Sequence, residues 1–147
     1  MAPEKRPDVS LAIKRAKKFE TEVRDFLSDK TGLHLMSKEV TFSSDANRKH
    51  SCDIVSQNNQ VVGDAKYLRN IPIPAAKYDN ITAYIHFLQN IEAHTKFLVF
   101  GENKELPNRW LKRFENLAEG VEFYFYADST LEKLTDGPAN LLRLFKS

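Results

Sequence analysis

Two short apolar runs on either side of an Asn-rich reversal constrain this chain more than any other stretch. Residues 51–67 read SCDIVSQNNQVVGDAKY, with Ile54-Val55 before and Val61-Val62 after Gln57-Asn58-Asn59-Gln60. β-Branched residues flanking Asn specify a β-hairpin, because Asn tolerates the positive φ that a tight turn requires. With Asn58-Asn59 as a two-residue turn, Gln57 lies opposite Gln60, and the same register brings Asp53 opposite Asp64 on one face. Their β-carbons would then be roughly 5 Å apart. Lys66, two residues beyond Asp64, projects from that face as well.

Two carboxylates facing each other within apolar strands repel unless positive charge lies between them. Lys66 supplies one charge, and a divalent cation would supply the rest. Hard oxygen ligands suit magnesium, with manganese as a substitute. The alternative is an edge hairpin whose acids are solvated and whose Asp64 pairs with Lys66. The apolar neighbours of both acids, and the small Gly63 and Ala65, favour the metal.

A chain of 147 residues is expected to form a single domain over 1–147, with residues 1–8 a loose polar arm. Residues 9–30 predict a helix with Thr31-Gly32 as its stop and Ala12, Ala16, Phe19, Val23, Phe26 and Leu27 as its apolar stripe. Glu20 falls inside that stripe, either as a site ligand or as an acid reaching water at the stripe edge. Glu22 belongs to the polar face with Arg15, Lys18 and Asp25. A strand over 33–42 and a basic loop over 43–50 lead into the hairpin. His50 and Cys52 stand two apart, a spacing open to zinc, although no further Cys or clustered His supports it.

Beyond the hairpin, an irregular connection over 68–76 precedes a helix over 77–93 with the stripe Ile81, Tyr84, Ile85, Leu88 and Ile91. The continuously apolar Lys96–Phe100 predicts a strand buried on both sides. A helix over 107–118 (Trp110, Leu111, Phe114 and Leu117 inward), a strand over 121–127 and a closing helix over 138–146 complete the chain. This alternation predicts an α/β fold in which a mixed central sheet is flanked by helices. The five glycines stand singly, so no phosphate-binding loop is present, and no nucleophile elbow occurs. Cys52, the one cysteine, excludes an internal disulfide and fits a reducing cytosol as a small buried hydrophobe. No apolar run approaches the ~20 residues of a membrane span. A net charge of +2 does not by itself mark a polyanion binder, so any nucleic-acid surface must be local.

The helix bearing Glu20, the strand, Asp53, and Asp64-Ala65-Lys66 at the end of the next strand resemble the PD-(D/E)XK nuclease superfamily. The resemblance covers residues 9 to about 101. Cys52 stands where the motif's proline would precede Asp53. The resemblance implies an αβββαβ restriction-endonuclease-like core, here followed by a C-terminal αβα extension, and a magnesium-dependent endonuclease acting on nucleic acid, most often DNA. It further implies that Asp53, Asp64 and the Ala65 carbonyl ligate the metal. Glu20 would bind through water or hold a second ion, and Lys66 would orient or deprotonate the attacking water. A lysine among acids keeps its proton unless desolvated, which favours orientation.

Lys14, Arg15, Lys17 and Lys18 on the first helix, Arg48 and Lys49 in the loop and Lys77 on the second helix are candidates for gripping the nucleic-acid backbone. Backbone contacts carry no sequence information, so a structure-selective or weakly specific cut is expected. Arg109, Lys112 and Arg113 form a separate basic cluster. The family resemblance suggests a homodimer or a larger nuclease complex, supported in the chain only by the aromatic-rich Phe123-Tyr124-Phe125-Tyr126, a pattern that more often marks core. The competing readings are a nucleic-acid-binding or assembly module that keeps the fold without cutting, and an RNA-directed nuclease.

Overall fold

A computed structural model describes residues 7–45, 47–68 and 75–146, with side chains described except at 7–10 and 75–77. The elements run α1 (Pro7–Thr31), β1 (Leu35–Thr41), β2 (Lys49–Ser56), β3 (Val61–Tyr67), α2 (Ala75–Gln89), β4 (Thr95–Gly101) and α3 (Glu105–Phe114). A 3-10 turn (Glu115–Ala118), β5 (Glu122–Ala127), β6 (Thr130–Lys133) and α4 (Asn140–Arg143) follow. Of the expected arm, residues 7 and 8 are helical and residues 1–6 lie outside the described residues. Most of the expected 68–76 connection also lies outside them.

The six strands form one mixed sheet in sequential order, β1 to β6. The first three are antiparallel, β3, β4 and β5 are parallel, and β6 returns antiparallel to β5. Parallel neighbours need crossovers long enough for a helix, and α2 and α3 are those crossovers. Two apolar layers result. Ile81, Ile85, Leu88, Leu106, Trp110 and Leu111 cover one face against Val55, Val62, Leu98, Phe100 and Phe123. Phe19, Val23, Leu27 and Leu141 cover the other against Ile54, Val61, Ala65, Phe97, Val99 and Tyr124. β4 sends alternate residues into both layers, as its continuous apolar run requires.

Local chemistry sets the element ends. Gly32, at φ 73°, closes α1 in the left-handed conformation and donates its N–H to the Ser28 carbonyl at 2.9 Å. The Asn90 side chain donates to the His86 carbonyl at 2.8 Å, and α2 ends at Gln89 rather than at 93. Asn103 accepts from the Leu106 amide at 3.1 Å, and α3 starts at Glu105, two residues ahead of the expected Pro107. Its last turn tightens to 3-10, leaving Leu117 48% exposed instead of inward.

The C-terminal extension differs most from expectation. It contains an additional strand, β6, joined to β5 by Asp128 (φ 50°) and Ser129 (φ 58°). Positive φ at both positions is the geometry of a type I′ turn, achieved here without the glycine that usually signals it. The closing helix shrinks to α4. Its Asn140 and Leu141 amides donate to the buried Glu122 carboxylate at 2.8 and 3.1 Å, and the Tyr124 hydroxyl donates to the same carboxylate at 2.6 Å. Phe123, Tyr124 and Tyr126 are buried in the core, and Phe125 is half-buried.

Candidate active site

The hairpin pairs Val55 with Val62 and Ile54 with Gly63, the register that the sequence requires. The turn is longer than two residues. Asn59, at φ 60°, donates its N–H to the Ser56 carbonyl, and the Ser56 hydroxyl accepts from the Gln60 and Val61 amides. Residues 57–60 therefore form a four-residue loop, which preserves the register because two residues are added symmetrically.

On its other edge β2 is irregular. Met36 pairs with Val55 and Lys38 with Cys52, so Asp53 and Ile54 together stand opposite the single Ser37. This is a β-bulge, a device that re-aims side chains beside functional sites. Alternation breaks accordingly: Cys52 and Val55 belong to the α2 layer, whereas Ile54 belongs to the α1 layer. The regular one-face pairing expected for Asp53 and Asp64 is not kept. Instead, each carboxylate bonds to the other strand's backbone. The Asp53 amide donates to Asp64 Oδ1 at 3.0 Å, and the Ala65 amide donates to Asp53 Oδ2 at 2.9 Å.

Asp64 is 1% exposed, and its second oxygen meets His50 Nε2 at 3.1 Å. Asp53 is half-buried, and its Oδ1 has no hydrogen-bond partner among the described residues. Burial first, then the charge of Asp64, pushes the Asp53 carboxyl up to about 6; the Ala65 amide and Lys66 oppose this, while Glu20 adds to it. Burial, with Asp64 and Asp53 adding to it, drives the Cys52 thiol far above the ordinary thiol range. A thiol of that kind is inert as a free nucleophile.

Lys66 projects toward α2, its ammonium 3.9 Å from the centre of the Tyr84 ring. Glu20 of α1 is half-buried and shares with Lys66 and Tyr84 a cavity of about 250 Å³, walled also by Ala16, Ala65 and Phe100. The cavity opens at the carboxyl ends of β3 and β4, where open α/β sheets take their ligands. Glu20 and Lys66 line this cavity, whereas neither Asp53 nor Asp64 does; Asp64 sits at the middle of β3, and the charges of Lys66 and Glu20 reach Asp53. Glu20 and the two aspartates do not make a compact three-ligand set. Among the described residues that distinction belongs to His50, Cys52 and Asp64, whose ligand atoms all lie within 4.8 Å of one another.

Lys14, Arg15, Lys17 and Lys18 are exposed along α1, and Lys49 is exposed on β2. Arg48 holds its guanidinium 4.9 Å from the Phe42 ring centre. None of these bonds to the site's acids among the described residues, and the Lys77 side chain lies outside them. Arg109 pairs with Glu105 on α3 and does not line the cavity. Three residues escaped sequence reasoning. Arg24 donates to the Asp53 carbonyl at 3.1 Å, Tyr84 supports Lys66, and Phe87 stacks on His50 at 4.5 Å. Arg24 lies one turn beyond Glu20, a spacing that could have exposed it; Tyr84 is indistinguishable in sequence from a core residue.

The donor chemistry suits a divalent cation. Asp53 and Asp64 offer carboxylate oxygens on neighbouring strands, and it is burial first, with the charge of Asp64 second, that holds the Asp53 carboxyl up. The chain matches no protein-family profile, no curated protein and no solved structure. Fold and site together define an α/β protein with a six-stranded mixed open sheet, in which Glu20 and Lys66 line a cavity at the carboxyl end of β3 and Asp53 and Asp64 bond across β2 and β3.

Proposed function

We propose that this chain is a metal-dependent nuclease of the PD-(D/E)XK type, with a restriction-endonuclease-like core, that hydrolyses phosphodiester bonds in nucleic acid, DNA foremost. The observation that carries this reading is the reciprocal bonding of Asp53 and Asp64 to each other's strand, with Lys66 beside them. The element order α1-β1-β2-β3-α2-β4 is compatible with it.

Asp53, Asp64, the Ala65 carbonyl and Glu20 would hold Mg2+, with Mn2+ as a substitute. Bound there, the ion lowers the pKa of a coordinated water and neutralises phosphate charge. The protein's own contribution is orientation. The Asp64 carboxylate is fixed through Oδ1 by the Asp53 amide. Arg24 holds the Asp53 carbonyl, and so the bulge, against α1. Lys66, braced on Tyr84, would present its side-chain nitrogen to the attacking water and to the charge that develops on phosphate. The exposed lysines and Arg15 of α1 supply non-specific attraction for a polyanion.

Incubation with supercoiled plasmid, branched DNA and RNA, in magnesium and in chelator, tests the proposal. Magnesium-dependent cleavage that Asp64→Asn and Lys66→Ala each abolish is the expected result. No cleavage of any substrate in magnesium or manganese would make the fold a binding or assembly module. Cleavage of RNA alone would redirect the activity.

A further inference from the structure

We propose that His50, Cys52 and Asp64 form a second, softer metal site that takes Zn2+, and that zinc bound there removes Asp64 from hydrolysis. The inhibitory half of this inference rests on the nuclease reading, whereas the metal site itself does not.

The geometry points to zinc because of where the bulge falls. His50 and Cys52 lie two apart on the regular part of β2, before Asp53-Ile54, and so project to the same side. That side is the α2 layer, to which Cys52 belongs and where His50 stacks on Phe87 at an interplanar angle of 18°. Asp64 arrives from β3, and its Oδ2 stands 3.1 Å from His50 Nε2. With Cys52 Sγ included, the three ligand atoms lie within 4.8 Å of one another. Zinc at its usual bond lengths, about 2.0–2.3 Å to N, O and S, needs ligand atoms separated by roughly 3.3–3.8 Å. A modest contraction of the existing cluster suffices.

The donor set also selects the metal. Imidazole, thiolate and one carboxylate oxygen match zinc and its neighbours, and match magnesium poorly. Two of the three ligands are already held. Asp64 is pinned through Oδ1 by the Asp53 amide, leaving Oδ2 to turn to a cation, and the His50 ring is fixed by Phe87. His50 is 19% exposed, which gives an ion an entry from solvent. Binding replaces the His50–Asp64 hydrogen bond with two metal–ligand bonds, the proton of that bond passing from His50 Nε2 to Nδ1 so that Nε2 is free to ligate; the third bond is to Cys52 Sγ, whose thiol proton leaves to solvent. Three protein ligands leave a fourth position open to water.

Titration of the metal-free protein with Co2+ tests the site independently of cleavage. Expected are the visible bands of tetrahedral cobalt and the near-ultraviolet thiolate-to-cobalt charge-transfer band, both displaced by zinc. Cys52→Ser and Cys52→Ala should each lose the charge-transfer band, and His50→Asn should weaken binding by more than about tenfold. Circular dichroism and thermal melts identify any variant that fails to fold, and two Cys52 variants are used because the side chain is fully buried. A cobalt spectrum with no thiolate band, or one unchanged in folded Cys52→Ser, overturns the site. For the inhibitory half, the ratio of magnesium-supported cleavage with and without stoichiometric zinc should fall at least tenfold in the native protein and stay near one in Cys52→Ser. Equal inhibition of both proteins overturns it. Absence of any cleavage would count against the nuclease reading while leaving the cobalt result to decide the metal site.

Discussion

The backbone amide of Asp53 donates to Oδ1 of Asp64 at 3.0 Å, and the amide that follows Asp64 in the chain, that of Ala65, donates to Oδ2 of Asp53 at 2.9 Å. The two acids that carry the proposed chemistry therefore also join β2 to β3. Asp64→Asn keeps an oxygen for the Asp53 amide and should lose activity while retaining stability. Asp64→Ala leaves that half-buried amide without this acceptor, which costs at most about 1–3 kcal/mol. Urea denaturation of the two variants beside the native protein checks the difference; equal stabilities would show that this bond contributes nothing.

Asp53 titrates at about 6 in the folded protein, against 3.8 for an ordinary aspartate. The folded state therefore holds this proton more tightly than the unfolded chain does. The resulting stability is fully present below about pH 4 and is lost as pH rises through about 6. The loss is on the order of 2 kcal/mol at most, allowing for partial exposure. Denaturation of metal-free protein between pH 4 and 7 should show this decline, and Asp53→Asn should flatten it. With Asp53 as the proposed magnesium ligand, the ion would compete with the same proton, so its apparent affinity should strengthen across that interval.

Tyr84 braces Lys66 through its ring face, 3.9 Å away. Half-buried cation–π contacts contribute about 0.5–2 kcal/mol. Tyr84→Leu should lower the cleavage rate several-fold to about thirtyfold, and Tyr84→Phe, which keeps the ring, should restore most of it. If Tyr84→Leu cut at the native rate, the amine would need no brace.

Gly63 is required by packing rather than by its backbone angle. A β-carbon added there would stand 2.4–2.6 Å from ring atoms of Phe97. Gly63→Ala should destabilise by about 1–3 kcal/mol, the usual range for overpacking. Pairing it with Phe97→Leu should recover part of that loss. Thermal melts of the two single variants and the double variant measure the coupling.

Much of this arrangement is legible in the chain itself. The Ile54-Val55 and Val61-Val62 pairing, the doubly buried β4 and the Gly32 stop each follow from a periodicity or from a residue with one dominant backbone role. The misses have physical causes. β6 depends on Asp128 and Ser129 accepting positive φ, which neither residue announces. The bulge at Asp53-Ile54 is set by β1, whose Ser37 faces two residues, and no local pattern in β2 encodes it. For the same reason His50 and Cys52, two weak candidates in sequence, acquire Asp64 as a companion only when the strands are laid side by side.

An unbroken strand would offer one position between Cys52 and Val55, and it would have to choose between filling the interior and furnishing an acid. The extra residue in β2 removes that choice: Ile54 plugs the α1 layer while Asp53 remains at the rim. Shortening β2 by either residue would leave a sheet with smoother hydrogen bonding and a protein deprived of its plug or its acid.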